Sequence, residues 1–333
     1  MLRRILLPLL LVFALPSLTL ADQSCIYRAH SGEMRQVGSI HQVPNRYRSQ
    51  AQCSDTSVAA PSNHLARPQD IELEGNLRRE DMSSSIGRIQ LRWPRSVETL
   101  FGKNPLRATA ESAQVVSRAL RTAAFSTPIQ SLNLDWQIVF MDANLPQAQI
   151  PTQLISNCHP GWMTPPANIY IVGQRVAAGC GGERSSVTSV ADSRLAEVLV
   201  HEMGHAVEYH LLGDRPQFDR MRAEGFATWF EMHAAEYSSL ISATEIRRRT
   251  HQLARVALQQ SPDRFTFTGS GEDYARASMY FVAVVDKRGV RGLMEVYDLI
   301  RKEGVPFTDA IKKTMYWDDR QLAKEVERAV AKY

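Results

Sequence analysis

The sequence predicts an α+β fold in which a small mixed sheet precedes a mostly helical C-terminal half. Residues 87–190 contain alternating runs typical of strands around one helical run, and residues 191–333 show almost continuous helical periodicity. The chain has 333 residues, 44% of them apolar, so it is long enough to bury a large core.

Residues 1–21 have the composition of a secretory signal peptide. Arg3 and Arg4 precede an apolar run from Ile5 to Leu20, and small residues surround Ala21. The run is short and is followed by polar residues, so no stable membrane span is expected after cleavage. The protein is therefore expected to be exported, periplasmic or secreted, with a bacterial envelope as the simplest setting. Removing the two arginines lowers the formal charge from +4 to +2, which indicates no nucleic-acid partner.

All four cysteines lie beyond the predicted cleavage point and would reach an oxidising compartment. Two disulfides are expected, and the sequence leaves their connectivity open. The neighbouring pairings Cys25–Cys53 and Cys158–Cys180 would each staple a loop-rich stretch. No C-x-x-C spacing is present, so a thiolate zinc site is not expected.

Residues 22–86 are polar and broken, which predicts a small disulfide-closed module followed by a linker. Two roles remain open for it: a surface extension without catalytic part, and a prosegment that covers the active site. Residues 87–333 form the main domain, with a sheet subdomain at 87–190 and a helical subdomain at 191–333.

In the sheet subdomain, RIQLRW (88–93) alternates as a strand and ATAESAQVVSRALRTAAF (108–125) has helical periodicity. LDWQIVFMD (134–142) and NIYIVGQ (168–174) are expected to form two further strands. In the second half, helices are expected at Ser242–Gln260, Asp273–Lys287, Val290–Glu303, Phe307–Met315 and Asp319–Lys332.

Between these parts a helix is expected to begin at Asp192 or Ser193, either of which can cap it, and to end at Gly213. Asp214 opens a capping box, so a second helix is expected to follow at once and to continue to about Tyr237. Helices joined by so short a turn must pack as neighbours.

The first of these helices contains the motif VLVHEMGHAVEYH at 198–210. His201 and His205 lie one turn apart on the same face, the geometry that two imidazoles need to bind one zinc ion. Glu202 is rotated about 100° from His201, from where it can act as a general base on a water. His210 lies off that face. The flanking residues are apolar, and two buried imidazoles without partners would be costly.

A third ligand must come from elsewhere in the chain. Glu208 faces correctly but lies about 10 Å along the helix from His201, too far to join the same site. The next helix offers Glu224, in RAEGFATWFE, with eighteen residues between it and His205. The turn at Gly213 folds this helix back, which brings the carboxylate roughly level with the two imidazoles.

These segments resemble the gluzincin zinc metallopeptidases, and among them the aminopeptidase-N-like and peptidase-MA-like branch, over about residues 194–310. Members join HExxH to a glutamate across eighteen residues, inside an E-G-[FL]-A-x-[WY]-[FL]-E segment that EGFATWFE (224–231) matches. The resemblance implies a thermolysin-like domain. It also implies one Zn²⁺ per chain held by His201, His205 and Glu224, with Glu202 as the catalytic base.

Members of this family also carry a tyrosine, in a helix beginning Y-E-x-G or a variant, whose hydroxyl stabilises the oxyanion. The stretch EDYARASMYF aligns Tyr274 with it, and Tyr280 on the same predicted helix is the rival. Here Ala275 follows Tyr274 where glutamate is common, and Ala223 precedes Glu224 where asparagine is common. No G-x-M-E-N segment, the amine-anchoring stretch of the aminopeptidases, precedes the zinc helix. An endopeptidase therefore fits better than an aminopeptidase.

Several residues keep two interpretations. Glu231 can accept a hydrogen bond from a ligand histidine as a second-shell residue, or it can be a solvated helix glutamate. The strand 168–174 can be a sheet edge that pairs with substrate or an ordinary interior strand. Phe226, Trp229 and Phe230 are expected in the core, and close approach of another backbone would explain Gly204.

The predicted function is that of an exported zinc-dependent peptidase acting on a peptide or protein substrate. The alternative is a non-catalytic, zinc-stabilised binding or assembly protein of the cell envelope. Glu202 favours the enzyme, because a purely structural zinc site has no use for a base beside an open coordination position. The sequence predicts no oligomeric state.

Overall fold

The computed structural model describes residues 77–95, 98, 100, 105–122, 125, 127–141, 159–178, 191–213, 219–260 and 267–333, and the backbone alone of 23–28, 34–37 and 52–55. The chain divides into two compact units, residues 1–65 and residues 66–333. The predicted signal peptide lies outside the described residues. The predicted start of the main domain, residue 87, falls within the second unit.

The first unit contains a three-stranded antiparallel sheet in the order β2-β1-β3. Its strands are β1 (Gln23–Arg28), β2 (Met34–Val37) and β3 (Gln52–Asp55). The register places the backbone of Cys25 directly opposite that of Cys53. A disulfide between them stays a prediction, and Cys158 and Cys180 lie outside the described residues.

The second unit is built on a five-stranded mixed sheet in the order β4-β5-β6-β8-β7. The strands are β4 (Leu77–Ser84), β5 (Gly87–Pro94), β6 (Leu134–Met141), β7 (Gly161–Thr164) and β8 (Asn168–Val172). The pairs β5–β6 and β6–β8 are parallel, whereas β4–β5 and β7–β8 are antiparallel. This sheet and the helical second half confirm the predicted α+β fold.

Two features of the sheet differ from the expectations. Strand β4 lies in the stretch predicted as a linker, where its mainly exposed residues give no apolar alternation. The strand predicted at 168–174 is β8, which lies between β6 and β7. Of its two interpretations, the interior strand is confirmed and the sheet edge is wrong for the described sheet. The edge position belongs to β7, and the chain leaves β8 directly into a short helix.

The helices are α1 (Pro105–Thr122), α2 (Thr127–Gln130), α3 (Gly173–Ala178), α4 (Asp192–Leu212), α5 (Arg220–Ala234), α6 (Ala243–Gln260), α7 (Gly271–Glu303), α8 (Phe307–Met315) and α9 (Asp319–Ala331). A 3₁₀ turn at Ala235–Tyr237 follows α5. Gly289, with non-helical φ 65° and ψ −174°, divides α7 into two helical segments. The predicted break between Asp273–Lys287 and Val290–Glu303 is therefore confirmed. Among the described residues, no helix combines the length and apolar character needed to span a membrane.

The N-terminal caps of α4 and α5 in the structure differ from the predicted ones. Helix α4 has Ala191 at its N-cap and no side-chain cap, so Asp192 lies in the first turn, where its charge still favours the helix dipole. It ends at Gly213, as predicted, with φ 66°. Helix α5 begins at Arg220 and is capped by Asp219, whose carboxylate accepts a hydrogen bond from the Arg222 N–H at 3.0 Å. The predicted cap Asp214 lies outside the described residues.

Helix α4 is central to the second unit, because it packs against α1, α5 and the edge strand β7. Phe226, Trp229 and Phe230 of α5 are buried in the core, as expected. A Cβ on Gly204 would lie 3.2 Å from the Ala227 Cα, so the backbones of α4 and α5 approach closely there. This close approach sets how near the two halves of the zinc motif come to each other.

Candidate metal centre

His201 and His205 project from one face of α4 into the space between α4 and α5. Their rings are 5.0 Å apart between centroids and nearly perpendicular, at 83°. Both side chains are mostly buried, with 17% and 15% of their surface exposed. This is the arrangement that the four-residue spacing predicts.

Glu224 of α5 brings a carboxylate oxygen to both imidazoles. Its Oε2 lies 3.5 Å from His201 Nε2 and 3.4 Å from His205 Nε2. Donor atoms held about 2.0–2.2 Å from a tetrahedral zinc ion lie about 3.3–3.6 Å apart, so these separations fit one shared metal. One donor atom from each of the three residues lies within 4.8 Å of the others. Among the described residues, no other group of His, Cys, Asp and Glu side chains meets this condition.

Glu202 lies beside this set and faces strand β7 rather than the ligand axis. It is 5% exposed, and among the described residues its Oε2 has no hydrogen-bond partner. A buried carboxylate oxygen without a partner needs a donor, and a water bound at the metal centre would supply one. Burial raises the pKa of Glu202 to about 7, against the lowering effect of His205 and His201. That value suits a general base at neutral pH.

Glu231, two turns beyond Glu224, supports His201 from the side away from Glu224. Its Oε2 lies 3.4 Å from His201 Nδ1, so it can accept the ring N–H and leave Nε2 as the metal-binding atom. Its other oxygen lies 3.6 Å from Arg249 Nη2. The side chain is 12% exposed, which disagrees with the interpretation of Glu231 as a solvated helix glutamate.

The charges of the site favour a cation. Burial opposes protonation of His201, but its hydrogen bonds to Glu224 and Glu231 outweigh burial and raise its pKa to about 10. Burial would raise the pKa of Glu224, yet His205 and His201 hold it well below its usual range. Three carboxylates therefore surround two imidazoles, and a divalent metal matches that donor set better than two protons do.

Tyr274, in the first turn of α7, places its hydroxyl beside the metal-binding set. The hydroxyl lies 3.1 Å from Arg220 Nη2 and 3.3 Å from His159 Nε2. Its ring is nearly parallel to that of His201, 6.4 Å between centroids. Burial, followed by the charge of Glu224, raises the pKa of Tyr274, so the phenol keeps its proton. The rival Tyr280 instead packs against Phe307 at 6.3 Å.

His159 and Arg220 are the two site residues that the sequence did not single out. His159 precedes β7, and its Nε2 lies 3.4 Å from Arg220 Nη2. Arg220 is four residues before Glu224 on α5, which places it on the same helix face. That four-residue spacing is the signal in the sequence that points to Arg220.

Glu208 and His210, two polar residues of the motif outside the metal-binding set, have partners elsewhere. Glu208, judged too distant to be a ligand, accepts hydrogen bonds from Arg222 Nε at 2.8 Å and from the Tyr297 hydroxyl at 2.9 Å. These contacts tie α4 to α5 and α7 beneath the site. His210 also faces away from the metal centre, and it bonds to the Pro166 backbone.

No family model and no curated protein matches the chain. Among solved structures it is similar to an M1 zinc metallopeptidase from Deinococcus radiodurans, with 14% identity and a TM-score of 0.44 over 77% of this chain and 52% of that one. A mutant of that protein bound to a Tyr-Ser-Ala substrate gives the same values. A two-domain M1 zinc metallopeptidase mutant bound to L-tryptophan gives a TM-score of 0.42. The chain spans about half the length of these structures.

Proposed function

We propose that the protein is an exported zinc-dependent peptidase of gluzincin type, with a thermolysin-like catalytic domain. The observation that carries the proposal is the convergence of His201, His205 and Glu224 beside a buried glutamate. That glutamate, Glu202, has a pKa of about 7 and a carboxylate oxygen without a partner among the described residues. The export part rests on the N-terminal sequence alone, and it places the enzyme in the periplasm or outside the cell.

A zinc ion held by His201, His205 and Glu224 would supply Lewis acidity and lower the pKa of a bound water. Glu202 removes the proton from the attacking water, because its pKa allows it to be ionised near neutral pH. It then delivers the proton to the leaving amine nitrogen. Tyr274 donates a hydrogen bond to the carbonyl oxygen as that oxygen gains negative charge. Glu231 keeps the Nε2 of His201 directed at the centre.

The residues around the centre favour internal peptide bonds over a free amino terminus. Strand β7, which packs against α4, has the sequence GWMT and offers no carboxylate to hold an ammonium group. Arg220 adds a positive charge on the Tyr274 side of the centre, 3.9 Å from Glu224 Oε1. An amino terminus near Arg220 would be repelled, whereas an uncharged internal peptide would not. We therefore favour endopeptidase activity.

The test combines zinc analysis with peptide cleavage on purified mature protein. Wild type is expected to contain one zinc per chain and to cleave a mixed peptide pool, with cleavage abolished by a chelator and restored by Zn²⁺. Glu224→Ala is expected to lose zinc, and Glu202→Gln to keep zinc and lose cleavage. Glu245→Gln, at an exposed pair with Arg248 on α6, is the matched control and is expected to change neither.

Two results would contradict the proposal. If the protein contained no zinc after refolding in Zn²⁺, the proposed zinc site would be wrong. Zinc-loaded wild type that cleaves no peptide in the pool would favour the non-catalytic binding protein instead.

A further inference from the structure

Arg220 contacts the hydroxyl of Tyr274 without being one of the three candidate metal ligands. We propose that Arg220 is a positioning residue, which turns the O–H of Tyr274 toward the carbonyl oxygen of the bound peptide. The inference rests on the proposed peptidase function and adds a residue to it.

The direction of the hydrogen bond follows from the chemistry of the two groups. A guanidinium has only donors, whereas a phenol has one O–H donor and oxygen lone pairs that accept. At 3.1 Å, therefore, Arg220 Nη2 donates and the Tyr274 oxygen accepts. The bond uses a lone pair and keeps the O–H as a donor. In this structure the O–H bonds to the Glu224 carboxylate, and the carbonyl oxygen of a bound peptide would compete for it. The role of His159 Nε2, at 3.3 Å from the same oxygen, depends on the ring tautomer, but the role of Arg220 does not.

The ring of Tyr274 is already fixed by its neighbours. It lies parallel to Phe267 and His159, each 5.7 Å away between centroids, with interplanar angles of 5° and 3°. The centroid of the His201 ring lies 6.4 Å from that of Tyr274, and the two ring planes differ by 10°. These contacts set the position of the oxygen. The Tyr274 O–H can still rotate about the C–O bond. Because Arg220 donates to a lone pair of the oxygen, it restricts this rotation and so the direction of the O–H.

The guanidinium of Arg220 is held by contacts that do not involve Tyr274. The guanidinium carbon lies 5.7 Å from the centroid of the Phe267 ring, a cation–π contact. A Cβ on Gly269 would lie 2.9 Å from Arg220 Nη2, so the backbone there closes on the guanidinium. Asp273 anchors this segment by accepting hydrogen bonds from the Gly269 N–H at 3.1 Å and the Thr268 hydroxyl at 2.6 Å. The donor is thus in place before substrate binds.

A second role for Arg220 must be separated from this one. Its Nε lies 3.9 Å from Glu224 Oε1, so the charge of Arg220 also faces a candidate ligand. An effect through Glu224 would change zinc affinity. An effect through Tyr274 would change the rate of the chemical step and leave zinc affinity and substrate binding unchanged.

The first experiment measures zinc content, kcat and KM for Arg220→Met, Tyr274→Phe and the double variant. Losing an oxyanion donor costs about 100- to 1,000-fold in kcat, and losing only its alignment costs less, so we expect about 10- to 100-fold for Arg220→Met. KM and zinc content are expected to stay unchanged. In the Tyr274→Phe background, Arg220→Met is expected to give no further loss, because the group it positions is absent.

Two control variants carry the same kinds of substitution at helix positions away from the metal centre. Tyr280→Phe, on α7 against Phe307, and Arg248→Met, on the exposed face of α6, are expected to behave as wild type. Arg220→Lys keeps the charge and a donor but lacks the planar fork, so it is expected to recover part of the loss. It also provides the comparison if Arg220→Met does not fold, which circular dichroism would show.

The second experiment needs no turnover. In a Glu202→Gln background, calorimetry compares a phosphinic peptide, which imitates the tetrahedral state, with the plain peptide of the same sequence. Arg220→Met is expected to weaken binding of the phosphinic peptide about 10-fold and to leave the plain peptide unchanged. A direct contact between Arg220 and the phosphinate would persist with Tyr274→Phe, whereas an effect through the phenol would disappear.

The outcomes separate the inference from the proposed function. Loss of zinc in Arg220→Met, a change in KM alone, or losses that add to those of Tyr274→Phe would overturn the positioning role while wild-type cleavage stands. A zinc-loaded wild type that neither cleaves peptides nor binds the phosphinic peptide would overturn the proposed function, and the inference with it.

Discussion

Breaking the buried contact between Arg222 and Glu208 is expected to destabilise the protein strongly. Arg222 is 2% exposed and Glu208 3% exposed, and the Arg222 Nε–H donates to Glu208 Oε1 at 2.8 Å. Glu208 Oε1 accepts a second hydrogen bond, from the Tyr297 hydroxyl at 2.9 Å, and after Arg222→Met it keeps this bond but loses the one from Arg222. Removing one partner of a buried ion pair costs about 3–5 kcal/mol, because the other charge stays buried.

The size of this effect is large compared with a typical unfolding free energy of about 5–15 kcal/mol. Replacing both charges, as Glu208→Leu with Arg222→Met, is expected to cost less than Arg222→Met alone, since no uncompensated charge remains. Tyr297→Phe removes one hydrogen bond to a charged group and is expected to cost about 1.5–3 kcal/mol.

Urea unfolding, followed by the fluorescence of the five tryptophans, measures these differences. Chelator in excess removes the contribution of metal binding to stability. A loss below about 1 kcal/mol for Arg222→Met, or a double variant less stable than Arg222→Met, would refute the reasoning, because the desolvated charge would then carry no penalty.

Three further predictions concern the metal centre and its surroundings. Glu231→Gln is expected to weaken zinc binding about 10- to 100-fold by releasing His201, as measured by competition with a chromogenic chelator; unchanged affinity would contradict the supporting role. Gly161→Ala would place a Cβ 2.8 Å from Glu202 Oε1, and it is expected to lower kcat about 10- to 100-fold with zinc content retained. Burial, followed by the charge of Arg247, lowers the pKa of His233 to about 4, so the unfolded chain binds a proton first as the pH falls. Stability is expected to fall between about pH 6.5 and pH 4 by up to about 3 kcal/mol, and His233→Gln is expected to remove that part of the acid sensitivity in urea titrations at each pH.

The part of the site built from helical periodicity could be predicted from the sequence. His201 and His205 share a face because four residues make about one turn, and Glu224 meets them because Gly213 ends α4 and α5 returns beside it. The spacing of Glu231 from Glu224 follows the same rule. Each of these relations depends on residues within two neighbouring helices.

The remaining part depends on contacts that periodicity does not encode. His159 enters from the segment before β7, and β7 is only four residues long, too short to show alternation. The sequence therefore left open whether the longer strand β8 is the edge or an interior strand, and the structure places it in the interior. Arg220 was missed because its partners, Tyr274 and His159, are 54 and 61 residues away along the chain.

Close backbone contacts explain how elements so far apart in sequence meet at one centre. Gly204 lets α5 approach α4, with only 3.2 Å from its Cβ position to the Ala227 Cα, and this contact brings Glu224 to the histidines. Gly225, next to Glu224, does the same for α7, because its Cβ position is 2.9 Å from the backbone of Ala277, one turn after Tyr274. Glycine within a helix costs about 1 kcal/mol relative to alanine. At these two positions a side chain would separate the carboxylate from the imidazoles or the phenol from the carboxylate, so the spacing of the site depends on the absence of a Cβ as much as on its polar residues.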